Sequence, residues 1–285
     1  MTILETIILS IVEGLTEFLP VSSTGHLVIA QALMGIESTE YVKAFTVMIQ
    51  FGAILSVVVL YLKQFFRFEV PVDIRERDDL PAWRITLSRF RFYMQLIVGV
   101  VPAIVLGLLF SDFVDKVLGE VWVVAANLVV GGVVMLFVDK WIKNNTHTSV
   151  TYKRSFQIGL FQTIAMFLPG MSRSMSTIVG GMTTGLRREV AAEFSFFLAV
   201  PTMLGASVWQ IIKFYRRGDL AILTDNLDTL ILGNVVSFLV AMLAIKYFLK
   251  YLKRHGFAAF GVYRIIVGGA IIVMMMAGYD LSLFQ

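Results

Sequence analysis

Six stretches of this chain are long and apolar enough to cross a lipid bilayer, and they narrow its folding options more than any other feature. Charge-free runs occupy Ala44 to Leu62, Phe92 to Ser111, Val121 to Val138, Phe194 to Ile212 and Thr229 to Ile245, and a sixth, Phe257 to Tyr279, is interrupted only by Arg264. Each approaches the roughly 20 residues a spanning helix needs. Of the 285 residues 58% are hydrophobic and only 15% charged, against about a quarter charged in soluble proteins. The expected class is an all-α polytopic membrane protein. Cysteine is absent, which excludes disulfides, thiolate metal sites and cysteine nucleophiles. Glu5 stands where a signal peptide would carry its basic region, so the first segment is expected to remain in the mature protein.

Two further segments are apolar but broken. Glu13 to His26 and Phe167 to Thr177 carry carboxylates, hydroxyls, an imidazole and a guanidinium inside sequence otherwise fit for a bilayer. Left unpaired at mid-membrane, Glu13, Glu17 and Arg173 would cost very roughly 8 to 10 kcal/mol. Such residues mark a site.

The two broken segments are copies of one plan. An offset of 149 lays Phe18-Leu19-Pro20 on Phe167-Leu168-Pro169, Ser23 on Ser172, Phe45 on Phe194 and Leu55 on Leu204, and an offset of 137 lays Asn127 to Gly132 on Arg264 to Gly269. In each copy about 12 to 14 apolar residues precede a proline-centred break and a similar stretch follows, each too short to span. The pattern predicts a re-entrant helical hairpin whose tip is buried in protein or lines an aqueous cavity. One hairpin plus three spans crosses the membrane an odd number of times, so the second copy is inverted relative to the first. The expected fold is therefore six transmembrane helices plus two re-entrant hairpins in an inverted-topology repeat, with a first repeat over 1–143 and a second over 150–285.

Lys and Arg set the sides. Seventeen fall in Lys63 to Arg91, Lys140 to Arg154, Arg187–Arg188 and Lys246 to Arg254, against five on the other face at Lys43, Lys116, Lys213, Arg216 and Arg217. The richer side is expected to be cytoplasmic, with both termini outside. The net charge of +4 is thus a matter of topology, and no nucleic-acid partner is expected.

A helix restarting after each break points its unpaired N–H groups and positive dipole end at the midplane. Two such ends make an anion site. Ser22, Thr24, Ser172, Ser174 and Thr177 are candidate substrate-binding hydroxyls, and the Arg173 fork suits phosphate. Glu13 and Glu17, four apart, share a helix face and are candidate ligands for a divalent cation, with oxygen donors suiting Mg2+ or Ca2+. Ser23 and His26, three apart, are a candidate nucleophile and proton-transfer pair. The bland readings are structural pairing of the two glutamates, a hydrogen-bonded core histidine at 26 and a guanidinium at 173 that only ties hairpin to hairpin; Arg264, facing Asn127 in the repeat, reads as structural.

At these residues the chain resembles the undecaprenyl-diphosphate phosphatase family of the bacitracin-resistance type. Glu-x-x-x-Glu followed by Phe-Leu-Pro-Val-Ser-Ser-Thr-Gly-His is complete from Glu13 to His26, and Pro-Gly-x-Ser-Arg-Ser-x-x-Thr is complete from Pro169 to Thr177. The resemblance implies an integral enzyme of the bacterial inner membrane that hydrolyses undecaprenyl diphosphate to undecaprenyl phosphate, the carrier for peptidoglycan synthesis, with a divalent cation. It implies Glu17, Ser23, His26 and Arg173 as catalytic residues and leaves open whether serine or histidine attacks. The substrate is then a polyprenyl diphosphate, membrane lipids are contacts, a homodimer stays open, and the site is expected to open outward. The competing class is a secondary transporter or flippase, whose folds also use inverted repeats and broken helices; a carrier has no use for a nucleophile beside a base.

Overall fold

A computed structural model describes residues 1–66, 81, 87–110, 121–142 and 145–279. Several sequence-derived features lie outside the described residues: the basic residues from Arg67 to Arg84, Lys116, and the boundary at residue 143. The described chain forms helices α1 (Ile3–Thr16), α2 (Ser23–Met34), α3 (Glu40–Met48), α4 (Gln50–Leu60), α5 (Leu62–Phe65), α6 (Arg91–Leu109), α7 (Val121–Trp141), α8 (Tyr152–Phe167), α9 (Arg173–Thr183), α10 (Arg188–Arg217), α11 (Ala221–Thr224), α12 (Leu227–Leu252) and α13 (Ala258–Met276).

Among the described residues six helical stretches are long and apolar enough to cross a membrane: Glu40–Leu60, Arg91–Leu109, Val121–Trp141, Arg188–Arg217, Leu227–Leu252 and Ala258–Met276. They coincide with the six apolar runs, and the protein is a multi-pass, all-α membrane protein. The helix Arg188–Arg217 exceeds its run because charged residues continue it at both ends, Glu189 favouring its N-terminus and Arg216 and Arg217 its C-terminus. Glu40–Leu60 is the most enclosed span, 56% buried over its apolar window, whereas Ala258–Met276 is 22% buried. The enclosed span therefore belongs to the centre and the other to the wall. Ile97, Leu108, Ile231, Leu239, Ile266 and Val273 are exposed, as lipid-facing side chains must be.

The four remaining long segments, α1, α2, α8 and α9, run 14, 12, 16 and 11 residues, too short to span. Their starts are set locally. Thr2 and Glu5 form a reciprocal capping box at α1, and the Thr151 hydroxyl accepts from Arg154 N–H at α8. α1 packs against α12 and α2, while α8 packs against α6 and α9. Offset by the repeat, these are the same neighbours exchanged between halves. The largest apolar cluster joins Phe18 of the first break, Met171 and Met175 of the second, and Phe194, Phe196 and Phe197 of α10. Phe18 meets Phe196 edge to face at 5.3 Å. The two breaks thus sit together on the core instead of on the lipid surface.

Candidate active site

The breaks end α1 and α8 and restart the chain as α2 and α9. Ser22 and Ser172 are the N-caps of the restarted helices, both at φ 73°, and among the described residues they alone combine positive φ with a side chain. Their hydroxyls accept from Gly25 N–H at 3.4 Å and Met175 N–H at 3.3 Å. Holding serine there costs on the order of 1–3 kcal/mol each, a type of strain that concentrates at functional sites. The caps also correct the register of the repeat. The offset of 149 pairs Ser23 with Ser172, but the geometry equates Ser22 with Ser172, because the second break holds one residue more between its proline and its cap. Ser23 is therefore the counterpart of Arg173, each the first residue of its helix.

Glu17 joins them. One carboxylate oxygen, Oε2, accepts from Ser23 Oγ at 2.5 Å, and the other, Oε1, accepts from Arg173 Nη2 at 3.0 Å. Arg173 Nη1 donates to Ser195 O at 3.0 Å, and the guanidinium lies 5.9 Å from the centre of the Phe18 ring. Glu17 is 8% exposed. An ion pair at that burial, completed by a hydroxyl and a carbonyl, is fixed in geometry rather than a solvated surface contact.

A cavity of about 250 Å³ opens on this group, lined by Glu17, Ser22, Ser23, Thr24, Ser172 and Arg173, with Pro169 and Gly170 of the second break. Gly170 sits at φ +90°, and a Cβ there would come within 2.3 Å of Val124 O, so position 170 admits no side chain. The unpaired N–H groups at the starts of α2 and α9 belong to the same wall. Chemically, such an arrangement can receive an anion, and it holds a carboxylate-bound serine hydroxyl on its wall.

Other residues singled out in the sequence stand elsewhere. Ser174 donates to Leu19 O at 2.7 Å, and Thr177 shares a 2.6 Å hydrogen bond with Ser195 Oγ. Both hydroxyls tie elements together outside the cavity lining. His26 turns from Ser23: its Nδ1 lies 2.7 Å from Ser22 O, its Nε2 lies 2.7 Å from Tyr263 Oη, and the two rings stack at 5.5 Å and 8°. Ser23 and His26 are three positions apart on one helix, yet the first belongs to the break and the second to the contact of α2 with Tyr263 of α13. Glu13 is fully buried, and among the described residues neither carboxylate oxygen has a hydrogen-bond partner.

Gln50, Gln162, Thr202 and Met203 also line the cavity, and the sequence motifs did not reveal them. Gln162 is 3% exposed with its Nε2 unpartnered. The repeat carried a signal for it, since the offset of 149 places Gln162 on Glu13. No comparable pattern pointed to Tyr263.

The sequence matches the family described as bacitracin resistance protein BacA over residues 6–270. It is 56% identical over 282 residues to an undecaprenyl-diphosphatase of Porphyromonas gingivalis, covering 99% of this chain and 100% of the relative. It is 49% identical over 284 residues to one of Flavobacterium psychrophilum and 44% over 288 to one of Bdellovibrio bacteriovorus, each again covering 99% of this chain and 100% of the relative. With the family match covering both broken segments and five spans and reaching into the sixth, the chain belongs to the bacitracin resistance protein BacA family.

Proposed function

We propose that this protein hydrolyses undecaprenyl diphosphate to undecaprenyl phosphate and phosphate, returning the lipid carrier to peptidoglycan synthesis and conferring bacitracin resistance. The observation that carries the reading is the Ser23 hydroxyl held at 2.5 Å by Glu17, whose other oxygen is held at 3.0 Å by Arg173. The names of the relatives, all undecaprenyl-diphosphatases, support the substrate.

In this reading the terminal phosphoryl group sits between the starts of α2 and α9. Ser23 Oγ attacks phosphorus, its proton passes to Glu17, and the bond from phosphorus to the bridging oxygen breaks, releasing undecaprenyl phosphate. Water then attacks the phosphoserine, which restores the Ser23 hydroxyl and frees phosphate. Such a reaction asks the protein chiefly for positioning and charge neutralisation. Arg173 and the helix N–H groups supply the second. His26, bonded to Ser22 O and Tyr263, orients the cap of α2.

The residues present fit a divalent cation. Glu13 offers two buried, unpartnered oxygens beside Glu17, an expensive arrangement without a positive partner. Among the described residues no three acidic or histidine side chains gather, so Glu13 and Glu17 would be the side chains that hold an Mg2+ or Ca2+ ion. Bound there by Glu13 and Glu17, the cation would neutralise charge on the phosphoryl oxygens.

The hairpins are re-entrant and the halves inverted, a reading supported by the exchanged neighbours of α1 and α8. The membrane is the bacterial inner membrane and the cavity faces outward. Its apolar wall, with Ala103, Ala165 and Ala206, suits the start of the prenyl chain. The experiment is phosphate release from a prenyl diphosphate by the purified protein in detergent, with and without chelator. Absence of release from folded, metal-supplied protein defeats the reading.

A further inference from the structure

We infer that Arg264, with Asn127 as its counterpart in the other half of the chain, is a positioning residue that locks the two helix breaks together and so fixes Ser23 relative to Arg173; the role in turnover rests on the function proposed above. Arg264 is fully buried in α13 and donates only to backbone. Its Nη1 reaches Pro20 O at 3.3 Å, its Nη2 reaches Gly170 O at 2.9 Å and Asn127 O at 3.1 Å, and its Nε reaches Leu128 O at 3.3 Å. Pro20 and Gly170 are the turning points of the two breaks. One guanidinium therefore holds both, from a wall helix that contributes nothing to the cavity lining.

The spacing makes the hold direct. Pro20 lies three residues before Ser23 and three after Glu17, and Gly170 lies three before Arg173. No helical hydrogen bond separates the clamped carbonyls from the residues that act. A buried cation without a carboxylate costs several kcal/mol unless its donors are satisfied, and here carbonyl dipoles satisfy them. Only the fork of arginine reaches several carbonyls in different directions at once.

Asn127 completes the lock. Its Nδ2 donates to Pro169 O at 2.8 Å. The repeat equates Asn127 with Arg264 and Pro20 with Pro169, so each donor seizes the proline carbonyl of the opposite half. These bonds join the halves and do not brace either one internally. The fit around the guanidinium is close, for a Cβ on Gly131 would come within 2.3 Å of Arg264 Nη2 and 3.0 Å of Met175 Sδ.

Gly131→Ala therefore pushes on the lock without removing Arg264, and Arg264→Gln removes it. The full chain, in detergent, is measured for kcat and KM on a prenyl diphosphate below its unfolding midpoint. Both variants should lose at least about tenfold in kcat with KM little changed, since misplacement of about 1 Å can cost a hundredfold. Arg264→Lys, which keeps the charge but not the fork, should fail to rescue. Independently of activity, spin labels at introduced cysteines in place of exposed Leu15 and Leu168, next to the two breaks, should give a narrow distance distribution that broadens in both variants. An unchanged distribution, wild-type kcat in folded Gly131→Ala, or rescue by Arg264→Lys overturns the lock. If Arg264→Gln does not fold, Gly131→Ala decides. Broadening in a protein whose wild type releases no phosphate defeats the proposed reaction and leaves the lock standing.

Discussion

Ser23 and Arg173 occupy the same place in the two halves of the chain, each the first residue of a helix restarted after a proline break, and each bonds a different oxygen of Glu17. One half contributes a hydroxyl there and the other a cation. An approximately symmetric scaffold thus makes an asymmetric site. Glu17→Gln replaces one of the two acceptors with a donor that faces Ser23 or Arg173. Loss of a buried, charge-assisted bond of about 3 kcal/mol corresponds to roughly a hundredfold in kcat. Arg173→Ala should cost on the order of 3–4 kcal/mol of transition-state stabilisation while leaving the protein folded. Phosphate release at saturating substrate checks both, and near-wild-type turnover by either removes that residue from the chemistry.

Ser172 separates strain from function. Glycine at the same φ of 73° relieves about 1–3 kcal/mol of strain and loses only a few tenths as a cap. Alanine keeps the strain and loses about 1 kcal/mol of cap. Ser172→Gly should unfold no lower than the wild type and Ser172→Ala clearly lower, yet both should be slower because both lose a hydroxyl from the cavity. Thermal unfolding in detergent read beside phosphate release decides. Glycine falling below alanine in stability would contradict a strained cap.

The attacking atom can be trapped. With Ser23 Oγ on Glu17 and His26 on Ser22 O and Tyr263, a quenched reaction should carry label on serine, stable to acid. Ser23→Ala should abolish the label, and Tyr263→Phe should lower the rate only modestly, by about 1 kcal/mol or less for one lost hydrogen bond. Label that is acid-labile and survives Ser23→Ala would transfer the attack to His26.

Glu13 carries the cation hypothesis. Removing the cation with a chelator should stop phosphate release, and Glu13→Gln should raise the metal concentration needed for activity. Exposed Glu37, as Glu37→Gln, serves as the control. Full activity in excess chelator, or equal metal dependence of the two variants, disposes of the role.

The spans and the breaks were legible because the bilayer imposes a length and a polarity that any side chain reports. The polar residues gathered at the breaks were legible for the same reason. What sequence missed depends on direction instead of identity. His26 lies one turn from Ser23, but whether that turn points at the cavity or at α13 follows from how α2 packs, and the side chain it meets there, Tyr263, lies more than two hundred residues away in sequence. The slip between Ser23 and Ser172 has a similar origin, since a break has no periodicity to fix its register. Gln162 and Arg264 were visible as repeat positions only. Their meaning came from the unpartnered Nε2 of one and the backbone partners of the other.

The last prediction concerns the face on which the cavity opens. The Lys and Arg distribution puts the start of α10 and the loop before α8 inside and the end of α10 outside. Thr148 and Thr224 are both exposed and stand on opposite faces in that scheme, so in the cysteine-free chain Thr224→Cys should react with an impermeant thiol reagent in intact cells and Thr148→Cys should not. The cavity follows the same axis. On α10, which runs from Arg188 to Arg217, its lining falls at Thr202, Met203 and Ala206, and on α6, which runs from Arg91 to Leu109, it falls at Ala103. All four lie at or past the middle of their helices, toward the ends the charge rule places outside. Substrate phosphate and product should therefore exchange with the outer face. Proteoliposomes of one orientation, given a membrane-impermeant short-chain prenyl diphosphate on one side only, measure this directly. Turnover confined to the face that bears Thr224 is the expected result, and turnover from the Thr148 face alone would reverse the opening.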